Sequence, residues 1–174
     1  MRILLIWLSA AYVFGTFYLM VEQKEALRRD GQTVYLALAP RDPRSLLQGD
    51  YMDLSYAITN ELNHLQTDAA SSKVPMSGTL VIALDDHHVG RFVRIYQGGP
   101  LAPEEHLLKF HHQDWYVVIG AEKYFIPEGS GDSFSGATFG ELKVAPDGTP
   151  LLIALCDKDQ KPISVAPTPA GTPK

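Results

Sequence analysis

Thr79-Leu80-Val81-Ile82-Ala83-Leu84 is followed by Asp85-Asp86-His87-His88 and then by Val89-Gly90-Arg91-Phe92-Val93-Arg94-Ile95-Tyr96. Two runs rich in β-branched and aromatic residues around a short polar loop read as an antiparallel hairpin. The same signals recur outward from it. Residues 34–38 read as a strand closed by Pro40, and residues 107–111, 115–119, 140–144 and 151–156 read as further strands. Pro146-Asp147-Gly148 supplies the turn between the last two. Between these runs, 41–44 is turn-forming, 45–47 a single 3-10 or helical turn, and 59–76 helical or irregular. Trp115-Tyr116 is expected to pack in the core, and the Ser- and Gly-rich stretch 130–136 to form a mobile loop. The fold class expected is mainly β: a small antiparallel domain over residues 32–161, barrel-like or sandwich-like.

Ahead of this domain, residues 3–21 run nineteen residues without a charge. At about 1.5 Å of rise per residue, such a helix approaches the roughly 30 Å of bilayer hydrocarbon. A cleavable signal peptide would carry a shorter apolar core and an exit with small residues. Here the small residues Ser9, Ala10, Ala11 and Gly15 fall mid-run, and Tyr18-Leu19-Met20-Val21 offers no such exit. The expectation is therefore one uncleaved transmembrane α-helix over residues 1–21, continued by a helical linker over 22–31. Glu25 and Arg29 are spaced there for an i,i+4 pair, and Asp30-Gly31 marks the stop. Basic flanks (Arg2 before; Lys24, Arg28 and Arg29 after) lean toward a cytoplasmic C-terminal domain, but large C-terminal domains translocate largely regardless of charge. Residues 162–174, rich in Pro, Ala, Thr and Gly, are expected to be disordered.

Composition removes several functions. Beyond residue 21 the chain carries 14 basic and 20 acidic residues, a net charge of −6. No basic footprint for nucleic acid or anionic lipid is present. The single cysteine, Cys156, excludes an internal disulfide. The six histidines fall as His64, His87-His88, His106 and His111-His112. Adjacent residues on a strand point to opposite faces, and the spacings H-x-x-x-H, C-x-x-C and H-E-x-x-H are absent. Neither metal nor cofactor is expected. Arg41 and Arg44 beside the Gly49 turn are ordinary exposed arginines in a Pro-rich turn.

The distinctive segment is Gly49-Asp50-Tyr51-Met52-Asp53-Leu54-Ser55-Tyr56. Gly49 sits where a chain leaves a turn and enters a strand, and Asp50 is placed to accept N–H groups of the preceding loop. Over residues 51–58, Met52, Leu54, Tyr56 and Ile58 face one way; Tyr51, Asp53, Ser55 and Ala57 face the other. Two readings stay open: a structural corner locking the loop 40–48, or a binding lip around Asp50 and Tyr51. A second segment, Glu122-Lys123-Tyr124-Phe125-Ile126-Pro127-Glu128-Gly129, places Tyr124 and Ile126 on one buried face before Pro127 ends the pairing. Glu128 there reads as a solvated charge or a loop-capping acceptor.

These two segments, with the apolar stretch before them, resemble the bacterial GDYXXLXY-domain family over roughly residues 32–156. The resemblance implies a membrane-anchored, single-pass protein of the inner membrane with a periplasmic C-terminal domain. It also implies a non-enzymatic role, binding or assembling with a polytopic inner-membrane protein. The alternative is a periplasmic module binding a small molecule or peptide. Candidate binding residues are Gly49, Asp50, Tyr51, Leu54, Tyr56, Tyr124, Phe125 and Glu128; no catalytic residue is expected. The run from Pro43 to Tyr51 also loosely resembles the signal-peptidase-like β fold. No serine stands at the nucleophile's place, Ser45 follows the proline instead of preceding it, and no lysine occurs nearby through Tyr56, so a hydrolase is the least supported reading.

Overall fold

The hairpin at the middle of the sequence is also the middle of a four-stranded sheet. The computed structural model of the chain describes residues 2–39, 51–67, 75–126 and 130–164, with the side chains of 2–5, 65–67 and 132 excepted. In β3 (Ser77–Leu84), Leu80, Val81 and Ile82 are all fully buried, as a central strand covered on both faces requires. It pairs antiparallel with β4 (Gly90–Ile95) on one side and β5 (Glu105–Gln113) on the other. The edge strand β6 (Tyr116–Val118) completes the order β4-β3-β5-β6. A register shift between Val81 and Ile82 leaves Val93 as the extra residue of a bulge, which turns both Val93 and Arg94 outward while Phe92 and Ile95 keep to the core.

A second, three-stranded sheet has β1 (Gln32–Ala37) and β9 (Pro150–Cys156) on either side of β8 (Phe139–Val144). Val34 and Leu36 alternate inward and meet Leu142 and Gly140 in register. The Tyr35–Val89 bridge and the bond from the Tyr35 N–H to the His88 carbonyl (2.9 Å) bring β1 against the entry to β4. The antiparallel sheets curve as a half-barrel. A two-stranded ribbon of β2 (Tyr51–Asp53) and β7 (Lys123–Phe125) and the helix α2 (Ala57–Thr67) lie against the core, into which Met52, Ile58, Leu62 and Ile126 are buried.

Several expectations change. The alternating run 51–58 is a strand only to Asp53, and α2 begins at Ala57. Its facing nevertheless holds: Met52, Leu54, Tyr56 and Ile58 are buried, while Tyr51, Asp53 and Ser55 are half-buried. Trp115 and Tyr116 are not core residues, being 87% and 66% exposed. The two-residue turn Asp114-Trp115, with Asp114 at φ 56°, carries Trp115 to a hairpin tip. Within 130–136, Ser130 and Phe134 are buried and Gly131–Phe134 forms a 3-10 turn, with Phe134 edge-on to Tyr124 at 5.7 Å. Two residues of the expected disordered tail are paired instead: Pro162 bridges Cys156, and the Ile163 N–H bonds the Leu155 carbonyl. Arg41, Arg44, residues 45–47, Gly49, Asp50, Glu128 and residues 165–174 lie outside the described residues.

The N-terminal helix α1 (Arg2–Asp30) ends where the Asp30-Gly31 signal placed its stop, and the Gly31 N–H closes it on the Leu27 carbonyl at 2.9 Å. Glu25 pairs with Arg28 rather than Arg29, at 4.0 Å. Among the described residues no helix is long and apolar enough to cross a membrane, so the spanning expectation for residues 3–21 finds no support there.

Candidate functional site

Leu54 and Tyr56 are pinned to one short segment of backbone, 119–122, that leads into β7. The Leu54 N–H donates to the Glu122 carbonyl at 2.6 Å, and the Tyr56 hydroxyl donates to the Ala121 carbonyl at 2.7 Å. Beyond them the ribbon continues in register: Asp53 opposite Lys123, Met52 opposite Tyr124, Tyr51 opposite Phe125. The two sequence segments singled out separately are therefore partners in space. Gly120 sits at φ 80°, a backbone state that L side chains rarely adopt. Across this turn the Ile119 N–H donates to the Glu122 carboxylate at 2.5 Å.

Tyr56 is the keystone of the arrangement. Its ring is fully buried and fills the space that Gly140 leaves on β8, where an added Cβ would stand 3.1 Å from the ring. Burial, with a smaller contribution from the Glu122 carboxylate, pushes its hydroxyl far above the ordinary phenol range, so it remains a donor at all working pH values. The Tyr56 carbonyl also receives the Thr59 hydroxyl at 2.9 Å and opens α2 by accepting the Asn60 N–H at 3.2 Å.

The opposite face of the same residues bounds an open groove of about 680 Å³. One wall is the ribbon (Tyr51, Asp53, Lys123), one is α2 (Thr59, Asn60, Asn63), and the third is the β5–β6 hairpin (Gln113, Asp114, Tyr116). Polar pairs hold the walls apart: the Asn63 carboxamide accepts the Val117 N–H at 2.9 Å, and the Ser55 hydroxyl meets Asn60 Oδ1 at 3.2 Å. Tyr51 packs edge-on against Phe125 at 6.3 Å, and the Lys123 ammonium lies 5.2 Å from its ring centroid. Phe125 itself is 77% exposed.

Of the sequence candidates, Tyr51 and Leu54 line the groove, Tyr56 and Tyr124 support it from the core, and Phe125 caps the outer end of the ribbon beside Tyr51. Gly49, Asp50 and Glu128 lie outside the described residues. Sequence reading missed Asn60, Asn63, Gln113, Asp114 and Tyr116, which come from α2 and a hairpin remote in sequence. The legible signal was Gln113-Asp114-Trp115-Tyr116, a polar pair followed by two large aromatics at a turn. No group of three or more His, Cys, Asp or Glu converges on a metal position among the described residues. Cys156 is buried, and desolvation followed by the nearby Glu141 carboxylate pushes its thiol up to about 11, which leaves it a poor nucleophile near neutrality.

No curated protein and no solved structure matches this chain. A family model does, across residues 13–155, which takes in the ribbon, the turn 119–122 and both sheets. The chain belongs to the GDYXXLXY protein family.

Proposed function

We propose that this chain is a membrane-anchored, outward-facing binding module, in which α1 holds the domain to the inner membrane and the groove beside Tyr51 receives a ligand without catalysing its reaction. The groove carries the reading. It is preformed, polar hydrogen bonds hold its walls, and the family's own segment builds one side of it. Binding sites are typically concave regions with a few convergent polar groups, and this one fits that description in size as well.

Anchoring draws its support from α1. Residues 3–21 are uncharged, and large apolar side chains from Ile6 to Val21 stand exposed around the helix, Trp7 at 71% and Phe14 at 75% among them. The hydroxyls of Ser9 and Thr16 bond back to the carbonyls of Ile6 and Val13, at 2.9 and 2.8 Å. Such internal satisfaction is what a lipid environment demands of polar groups. The same exposed helix favours a second reading, assembly with a polytopic inner-membrane protein through α1.

Photoreactive residues introduced singly into the full chain in membranes separate the two. Under the binding reading, position 116 yields a specific adduct while the exposed position 104, outside the groove, yields none. Adducts to one membrane protein from position 14 alone favour assembly instead. Absence of any adduct at 116 removes the groove as the functional surface.

A further inference from the structure

We propose that the groove takes a neutral glycan chain whose sugar rings present flat apolar faces, as β-1,4-linked, equatorially substituted sugars do. This rests on the binding-module reading and names its ligand class.

Charge narrows the choice first. Asp53 stands opposite Lys123 in the ribbon register, and the Glu122 carboxylate is occupied by the Ile119 N–H. Asp53, Glu122 and Asp114 are the groove carboxylates, and none of them makes an ion pair among the described residues. Three carboxylates stand against the one ammonium of Lys123 on the lining, so the field inside the groove is negative and repels phosphates and carboxylates. Polarity narrows it further. A lipid tail laid against Asn60, Gln113 and Asp114 would desolvate amides and a carboxylate without returning hydrogen bonds, which is costly.

Aromatic placement completes the argument. Tyr116 lines the groove while 66% exposed, and Trp115 stands 87% exposed on the adjoining turn. Trp115 on the turn and Tyr116 at the first position of β6 are thus two consecutive large rings left mostly in water, with apolar surface open to a ligand. An equatorially substituted sugar has C–H faces that cover such rings, and its edge hydroxyls match carboxamides and a carboxylate, which accept and donate as a hydroxyl rim requires. Peptides and metabolites of mixed charge use only part of this set.

The test uses the full chain carrying Trp7→Phe, so that Trp115 is the single tryptophan, in a detergent without a sugar head group. Titration with cellohexaose and with chitohexaose should give saturable changes in Trp115 emission and saturable heats with at least one of them. Tyr116→Ala should weaken that binding at least about tenfold with the melting temperature unchanged, because the ring is exposed. No saturable response to either hexasaccharide overturns the inference. Hexalysine or hexaglutamate binding in their place, with the same dependence on Tyr116, also overturns it but leaves the groove as a binding site. Silence from all four probes, together with no adduct at position 116, removes the binding-module reading as well.

Discussion

The Tyr56 hydroxyl is a buried donor with one protein acceptor, the Ala121 carbonyl, and its ring occupies the space left by Gly140. Tyr56→Phe keeps the ring and strands the Ala121 carbonyl, so it should destabilise the domain by roughly 1–3 kcal/mol, read as a lower midpoint in urea. Gly140→Val drives new atoms to within contact of that ring and should cost about 1–3 kcal/mol through overpacking. Because both act in one cavity, their effects should not add: pairing Gly140→Val with Tyr56→Leu should recover part of the loss, and strict additivity would show that the two residues do not share the space. Tyr51→Ala has no such neighbour on the core side. It should move the melting temperature little while altering the groove wall. The described part of the motif thus splits by facing, with Leu54 and Tyr56 maintaining the fold and Tyr51 and Asp53 meeting the groove.

Among the elements, the strands were readable in the sequence from their apolar runs between turn signals. β1, β3, β5, β8 and β9 lie where the apolar runs placed them, and Met52, Leu54 and Tyr56 face inward as their spacing required. The failures share a cause, which is that a side chain's environment comes from elements distant in sequence. Trp115 has the composition of a core residue, and a tight turn put it outside; Phe134 lies in a Gly- and Ser-rich loop, and Tyr124 drew it inside. The groove was legible on its motif side alone, since Asn63 and Gln113 reach it through the packing of α2 and the β5–β6 hairpin. The turn itself was legible at Asp147-Gly148, though not its partner from β5. There the Lys109 ammonium, 2.5 Å away, followed by the Thr149 N–H, holds the Asp147 carboxyl at about 2. A carboxyl whose folded value lies below its unfolded 3.8 stabilises the fold above that pH, and the contribution is lost as pH falls through about 2. With Asp147 61% exposed, solvent screening keeps the effect below about 1 kcal/mol. Asp147→Asn should therefore melt slightly below the unaltered chain at neutral pH, and the difference should close between pH 4 and 2. A gap unchanged at pH 2 would assign it to the turn backbone instead of to the ion pair.

On the scale of the whole molecule, a helix with apolar side chains exposed around it is attached to a domain of net negative charge. In water that helix would leave a large apolar surface uncovered, a feature of chains that associate with a membrane or with one another. The proposed anchor predicts that the full chain stays with the membrane fraction through alkaline carbonate extraction. A chain beginning at residue 22 should be released into the supernatant with its β domain still melting cooperatively, because the sheets and α2 supply the buried core. Orientation needs a separate measurement, since the basic flanks and the size of the domain point in opposite directions. Alkaline phosphatase fused after the β domain folds in the periplasm and should be active in cells. A fluorescent protein that matures in the cytoplasm should be dark at the same junction. Phosphatase silence with a bright fluorescent fusion would turn the domain inward and place the groove before cytoplasmic ligands. Recovery of the full chain in the carbonate supernatant would instead mean that α1 is covered by protein, and assembly through the helix would then replace anchoring in lipid.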